Sequence, residues 1–180
     1  LKKVSYLTNP DSILGIFKIP KALNDIEIDK FSLALDSVSD PGNLGTIIRL
    51  SDWFGIKNIY CSLNTVDCYN PKVVQSSMGS IARVNCQYLD LVTFLSKYNF
   101  TIYGANLNGL SHYDCSYDQK GILVMGNESH GISSHVNDEI DQFITIMSKA
   151  DESSAESLNV ASACAIMLGE IFRPQSLFKS

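Results

Sequence analysis

The chain has 180 residues, 45% hydrophobic and 18% charged, a balance that suits one globular domain, or one domain plus a short extra segment, and excludes a disordered chain. Its formal net charge of −5 excludes a surface coated in nucleic-acid-binding charge, although a few phosphates can still be engaged locally. No run approaches the length of a membrane span, the N-terminal Leu1-Lys2-Lys3 lacks the apolar stretch of a signal peptide, and five cysteines without a C-x-x-C read as small buried residues of a reducing cytoplasm, with neither a metal site nor a disulfide framework expected.

Residues 1–30 combine a turn signal at Asn9-Pro10-Asp11, a short apolar run over 13–19 and a polar, acidic stretch over 21–30. They read as the tail of a preceding domain and a linker, and the lack of an initial Met reads as a piece of a longer protein. The regular pattern follows, over 31–180. A strand is predicted at 31–36, closed by Ser39-Asp40-Pro41-Gly42. A helix at 43–54 carries Leu44, Ile47, Ile48 and Trp53/Phe54 on one face and stops at Gly55. A second strand at 58–63 precedes a short helix at 71–78 with proline in its first turn. Next come a third strand at 82–89, a helix at 90–98 capped by Asp90, and strands at 100–105, 121–125 and 143–147. An Ala-rich helix at 156–172, capped near Ser153 or Ser154, ends before Pro174.

Strands alternating with helices predict an α/β fold, a mostly parallel sheet with helices on both faces. Ligands of such sheets sit in the loops at the carboxyl ends of the strands. The polar loops at 104–112, 126–133 and 148–159 follow the last three strands and are expected to converge on one edge.

Three constellations stand at strand-to-helix junctions. The first runs Asp40-Pro41-Gly42-Asn43-Leu44-Gly45 and on to Arg49; its glycines permit close approach of a ligand or a facing chain, and Arg49 needs a partner if buried. A cap and a salt-bridged arginine account for it equally well. The second, Gly126-Asn127-Glu128-Ser129-His130-Gly131, offers backbone groups and one carboxylate, or is a turn with a solvated Glu. It misses the G-x-S-x-G spacing of a hydrolase elbow, since Ser129 lies three residues after Gly126, and the histidines miss the H-E-x-x-H spacing of a zinc site. The third, Ser157-Leu158-Asn159-Val160, opens a helix of small residues, where capping plus core packing is the plain alternative. No G-x-G-x-x-G follows any strand.

Taken in order, N-x-G-x-x-x-R (Asn43, Gly45, Arg49), G-x-E-x-x-G (Gly126, Glu128, Gly131) and S-L-N-V (Ser157 to Val160) resemble the three motifs of the SpoU/TrmH family, over residues 31–173. The resemblance implies a SPOUT-type fold with a C-terminal deep trefoil knot, an exception to the usual rule against threaded chains. It implies an RNA 2′-O-ribose methyltransferase using S-adenosyl-L-methionine, a homodimer acting on rRNA or tRNA, with 1–30 as the tail of an N-terminal substrate-binding domain. By the same resemblance Arg49, Asn43, Glu128, Ser157 and Asn159 form the catalytic site. Asn106, Leu107, Gly126, Ile146, Met147 and Leu158 hold the cofactor. Ile146-Met147-Ser148 lacks the proline usual in the family, and the loop after it is longer than usual. A non-catalytic RNA- or cofactor-binding member of the same fold is the alternative.

Overall fold

The computed structural model describes residues 13, 15–19, 31–97, 100–148 and 157–173. Six strands form one sheet: β1 (Ser32–Leu35), β2 (Asn58–Ser62), β3 (Asn85–Leu89), β4 (Thr101–Ser111), β5 (Gly121–Met125) and β6 (Gln142–Thr145). Their order is β3-β2-β1-β5-β4-β6, and every pairing is parallel. Alternate residues of the central strands feed two cores. Leu33, Leu35, Leu123 and Met125 pack beneath α1 (Pro41–Trp53), α2 (Pro71–Ser76) and α5 (Val160–Ile171). Ala34, Ile122 and Val124 pack beneath α3 (Leu91–Leu95) and α4 (Ser134–Asn137). Burial on both faces is why β1 and β5 read as unbroken apolar runs.

Local chemistry fixes the helix ends. The Asp40 side chain accepts from the Asn43 amide at 2.8 Å and Pro41 occupies the first turn, so α1 begins two residues before the predicted 43. It ends in a Schellman arrangement: Gly55 at φ 75° lets the Ile56 amide reach the Ser51 carbonyl at 2.8 Å. Gly45 faces α2, and a Cβ there would overlap the Ser76 side chain and approach the Ser77 amide nitrogen at 2.9 Å. The facing chain is therefore α2.

Four expectations are corrected. The helix predicted from 156 starts at Val160, because the Asn159 side chain caps it by accepting from the Ala161 and Ser162 amides at 3.0 and 3.2 Å; Ser153 and Ser154 lie outside the described residues. The predicted strand at 82–89 begins only at Asn85, since Gly79 (φ 86°) turns the chain into a 3-10 segment at Ser80–Ala82. β6 ends at Thr145, leaving Ile146 and Met147 beyond the ladder. The 104–112 loop belongs to β4, whose register slips so that Ala105 and Leu110 both pair with Ile144. Gly109 permits that slip by lying flat on β6, with its Cβ position 2.7 Å from the Phe143 carbonyl carbon.

Candidate active site

After β1 the chain moves outward to β2 and β3, then crosses to β4 on the far side of β5. The connections leaving the neighbouring strands β1 and β5 thus lead in opposite directions, and their carboxyl ends form the switch-point crevice in which ligands of open parallel sheets bind. The first of these loops leads into Asn43. The second carries Glu128.

The second loop is a closed turn. Asn127 and Gly131 exchange backbone hydrogen bonds, each 2.9 Å, and Gly131 takes the left-handed backbone at φ 69°. A Cβ on Gly126 would overlap the Gly131 carbonyl carbon and the Ile132 nitrogen, so only glycine lets the turn fold back this far. Glu128 sits within the closure. The Asn127 side-chain oxygen meanwhile accepts from the Ser129 and His130 amides at 2.9 and 3.2 Å.

Hydrogen bonds then run through all three motifs. Asn159 donates Nδ2 to Asn43 Oδ1 at 2.9 Å, and Asn43 donates Nδ2 to Glu128 Oε1 at 2.9 Å. Glu128 Oε2 receives the longer, weaker contacts of the Ser39 amide at 3.5 Å and hydroxyl at 3.4 Å. Both ends of the Asn43 amide are thereby used, and its orientation is set by its partners. Partial burial pushes the Glu128 carboxyl up, but the Asn43 side chain and the backbone amides of Glu128, Ser39 and Asp40 together outweigh it, so its pKa lies below the usual 4.5. At neutral pH Glu128 is an acceptor only.

Arg49 is not part of this chain of bonds. It lies about 9 Å along α1 and roughly 240° round it from Asn43, exposed, with no hydrogen bond or ion pair among the described residues. Ser157 is exposed in the approach to α5. Of the residues expected to hold the cofactor, Gly126 is buried in its turn and Ile146 packs against the core. Leu107, Met147 and Leu158 are 67%, 61% and 50% exposed, all in segments at the carboxyl edge of the sheet. Thr145 Oγ1 anchors the Leu107 carbonyl at 3.1 Å, and the Asn106 side chain closes a local turn on the Asn108 amide at 3.0 Å. Uncovered apolar side chains beside open backbone are a donor set that suits a flat heteroaromatic base with a polar tail.

A cleft of about 520 Å³ opens between α1 and α5, lined by Asn43, Thr46, Leu50, Asn159, Ser162 and Ala165. A larger one, about 700 Å³, lies at the opposite edge, where β4 and β5 begin, and its Asp118, Asp138, Glu139 and Asp141 make it a poor seat for phosphates. The Ser129 backbone amide and the His130 ring both turn to the Asn127 side-chain oxygen, and among the described residues no hydrogen bond joins the Ser129 hydroxyl to a histidine. Sequence reading missed Asp36, Ser39 and Asn127, which join the two loops.

Residues 30–169 match the model of the SpoU rRNA Methylase family. The chain belongs to that family. Among solved structures, a protein assigned to the TrmH family of RNA methyltransferases, from Porphyromonas gingivalis, superposes with a TM-score of 0.85 at 40% identity, covering 94% of this chain and 69% of that one. The SpoU methyltransferase AviRb from Streptomyces viridochromogenes, in complex with the cofactor AdoMet, superposes with a TM-score of 0.72 at 26% identity, over 82% of this chain and 61% of that one. The 23S rRNA (guanosine(2553)-2′-O)-methyltransferase RlmP of Bacillus subtilis is 28% identical over 169 residues, 92% of this chain and 66% of its own length. The chain thus spans about two thirds of the curated relatives it matches. The sheet, with helices on both faces, is the SpoU/TrmH arrangement.

Proposed function

We propose that this SpoU-family domain directs methyl transfer from S-adenosyl-L-methionine to a ribose 2′-hydroxyl of ribosomal or transfer RNA. The observation that carries this reading is the Asn159–Asn43–Glu128 chain of hydrogen bonds, which joins three sequence motifs at the switch point of the sheet. When bound, the cofactor supplies an electrophilic methyl group. Leu107, Met147 and Leu158 offer its adenine an apolar seat, with the backbone of Asn106, Gly126 and Ile146 near at hand.

A ribose hydroxyl is a weak nucleophile, so the protein must hold it in line and ease the loss of its proton. Arg49 stays protonated and is a poor base. Its exposed guanidinium instead grips an RNA phosphate and stabilises the negative charge that grows on the 2′-oxygen. Asn43, set by Asn159 and the Glu128 carboxylate, orients the ribose, and Ser157 contacts the RNA. The active form is proposed to be a homodimer, as the family resemblance implies, and exposed Trp53 on α1 and Ile166 on α5 are apolar side chains that such an assembly could cover.

The test uses S-adenosyl-L-methionine with unmodified 23S rRNA and tRNA transcripts, reading 2′-O-methylation as resistance of the following phosphodiester to alkali. Arg49→Ala is expected to lower turnover roughly 100-fold or more. Turnover close to that of the unmodified protein would remove Arg49 from the chemistry.

A further inference from the structure

β1 runs out in a carboxylate that the site described above does not use. Asp36 is 4% exposed, and among the described residues no cation pairs with it. Burying an ionised carboxylate without a counter-charge is costly unless donors surround it. Asp36 has two: Oδ2 accepts from the Ser133 amide at 2.7 Å and Oδ1 from the Ser37 hydroxyl at 3.1 Å. Its own amide donates to the Met125 carbonyl at 2.9 Å. Met125 and Ser133 flank the turn that carries Glu128, so a single residue ties down both ends of that turn.

The lacing continues along the chain. Ser37 adopts the left-handed backbone at φ 61°, strained for a residue with a Cβ. In that conformation its carbonyl accepts from Asn127 Nδ2 at 2.8 Å and its amide donates to Ser62 Oγ at 2.8 Å. Two residues on, Ser39 reaches Glu128 itself. A buried charge and a strained backbone, side by side, are costs that the fold accepts where two loops must keep one relative position.

We propose that Asp36 is a positioning residue for the methyl transfer: its buried carboxylate sets where Glu128 sits, and through Glu128 the orientation of Asn43. The inference rests on Glu128 belonging to the site. A carboxylate that merely supported the fold would change stability without coupling to Glu128. Asparagine at 36 keeps the shape but loosens the tie: a neutral amide oxygen accepts from the Ser133 amide more weakly than a carboxylate does, and the NH₂ group meets Ser37 only if that hydroxyl turns to accept.

The experiment is a double-mutant cycle on the full chain: wild type, Asp36→Asn, Glu128→Gln and the double variant. The readouts are turnover and KM with S-adenosyl-L-methionine on unmodified 23S rRNA and tRNA transcripts, together with titration of S-adenosylhomocysteine. Asp36→Asn is expected to lower turnover roughly 10- to 100-fold with cofactor-product affinity unchanged, and to lower it no further once Glu128 is Gln. Wild-type turnover in Asp36→Asn, or losses that multiply in the double variant, would overturn the proposal. Wild-type turnover in Glu128→Gln would instead take Glu128 out of the site, and the proposal with it. If Asp36→Asn does not fold, Asn127→Ala, which cuts the next link to Ser37, takes its place in the cycle with the same outcomes.

Discussion

Glu128 shows how the site selects a protonation state. Burial favours the neutral acid, while the Asn43 amide and the surrounding backbone N–H groups favour the carboxylate and prevail. A carboxyl whose folded pKa is depressed contributes stability that is full above its unfolded value, about 4.5, and is lost as pH falls through the lower folded value. Glu128→Gln should therefore flatten the acid side of the stability curve. Its Tm should fall less than that of the wild type between roughly pH 6 and 3, and parallel curves would contradict the assignment. Asn43, Glu128 and Asn159 each stand in a polar break at a strand end or helix start, but that pattern fits a cap or a solvated turn equally well, and only the resemblance to the three SpoU/TrmH motifs put them in one site. Asp36 and Ser39 were not legible, because their partners lie 97 and 89 residues away and nothing local marks the pairing. Arg49 was legible as a residue but not as to its state, since i, i+3 spacing does not say whether an arginine beside apolar neighbours turns inward or out.

Among the elements, α1 carries the first motif and owes its placement to contact with α2. Gly45 is the point of closest approach. Gly45→Ala should cost about 1–3 kcal/mol in urea denaturation, because the new methyl group meets the Ser76 side chain and the Ser77 backbone. Adding Ser76→Gly should restore part of that loss, and undiminished stability in the Gly45→Ala variant would refute this role of the glycine. Strand and helix periods located β1, β2, β5 and α1 to within two residues, because buried parallel strands and capped helices mark themselves locally. The α5 start was misplaced because 153, 154, 157 and 159 all carry cap-type side chains, and only the reach of Asn159 to both the Ala161 and Ser162 amides decides among them. β4 was cut short because its slipped register rests on Gly109 lying against β6, a contact between strands that no period reports.

Across the whole molecule, alternation predicted a parallel sheet but not its strand order. The order is what sets β1 beside β5 and brings Asn43 to Glu128. The resemblance implies a knot in the C-terminal part of the chain, and within that part residues 149–156 lie outside the described residues. With a net charge of −5 the surface does not attract RNA as a whole, so the proposed function needs local cations, and exposed Arg49 on α1 is the one it assigns. The proposed function divides the labour: the exposed apolar side chains of Leu107, Met147 and Leu158 would seat the cofactor, and Arg49 would act on the RNA. Isothermal titration of S-adenosylhomocysteine into the wild-type chain and Arg49→Ala tests that division most directly. Both proteins should bind it with equal, micromolar strength. Absence of binding to the wild-type chain, or binding lost with Arg49→Ala, would contradict that division.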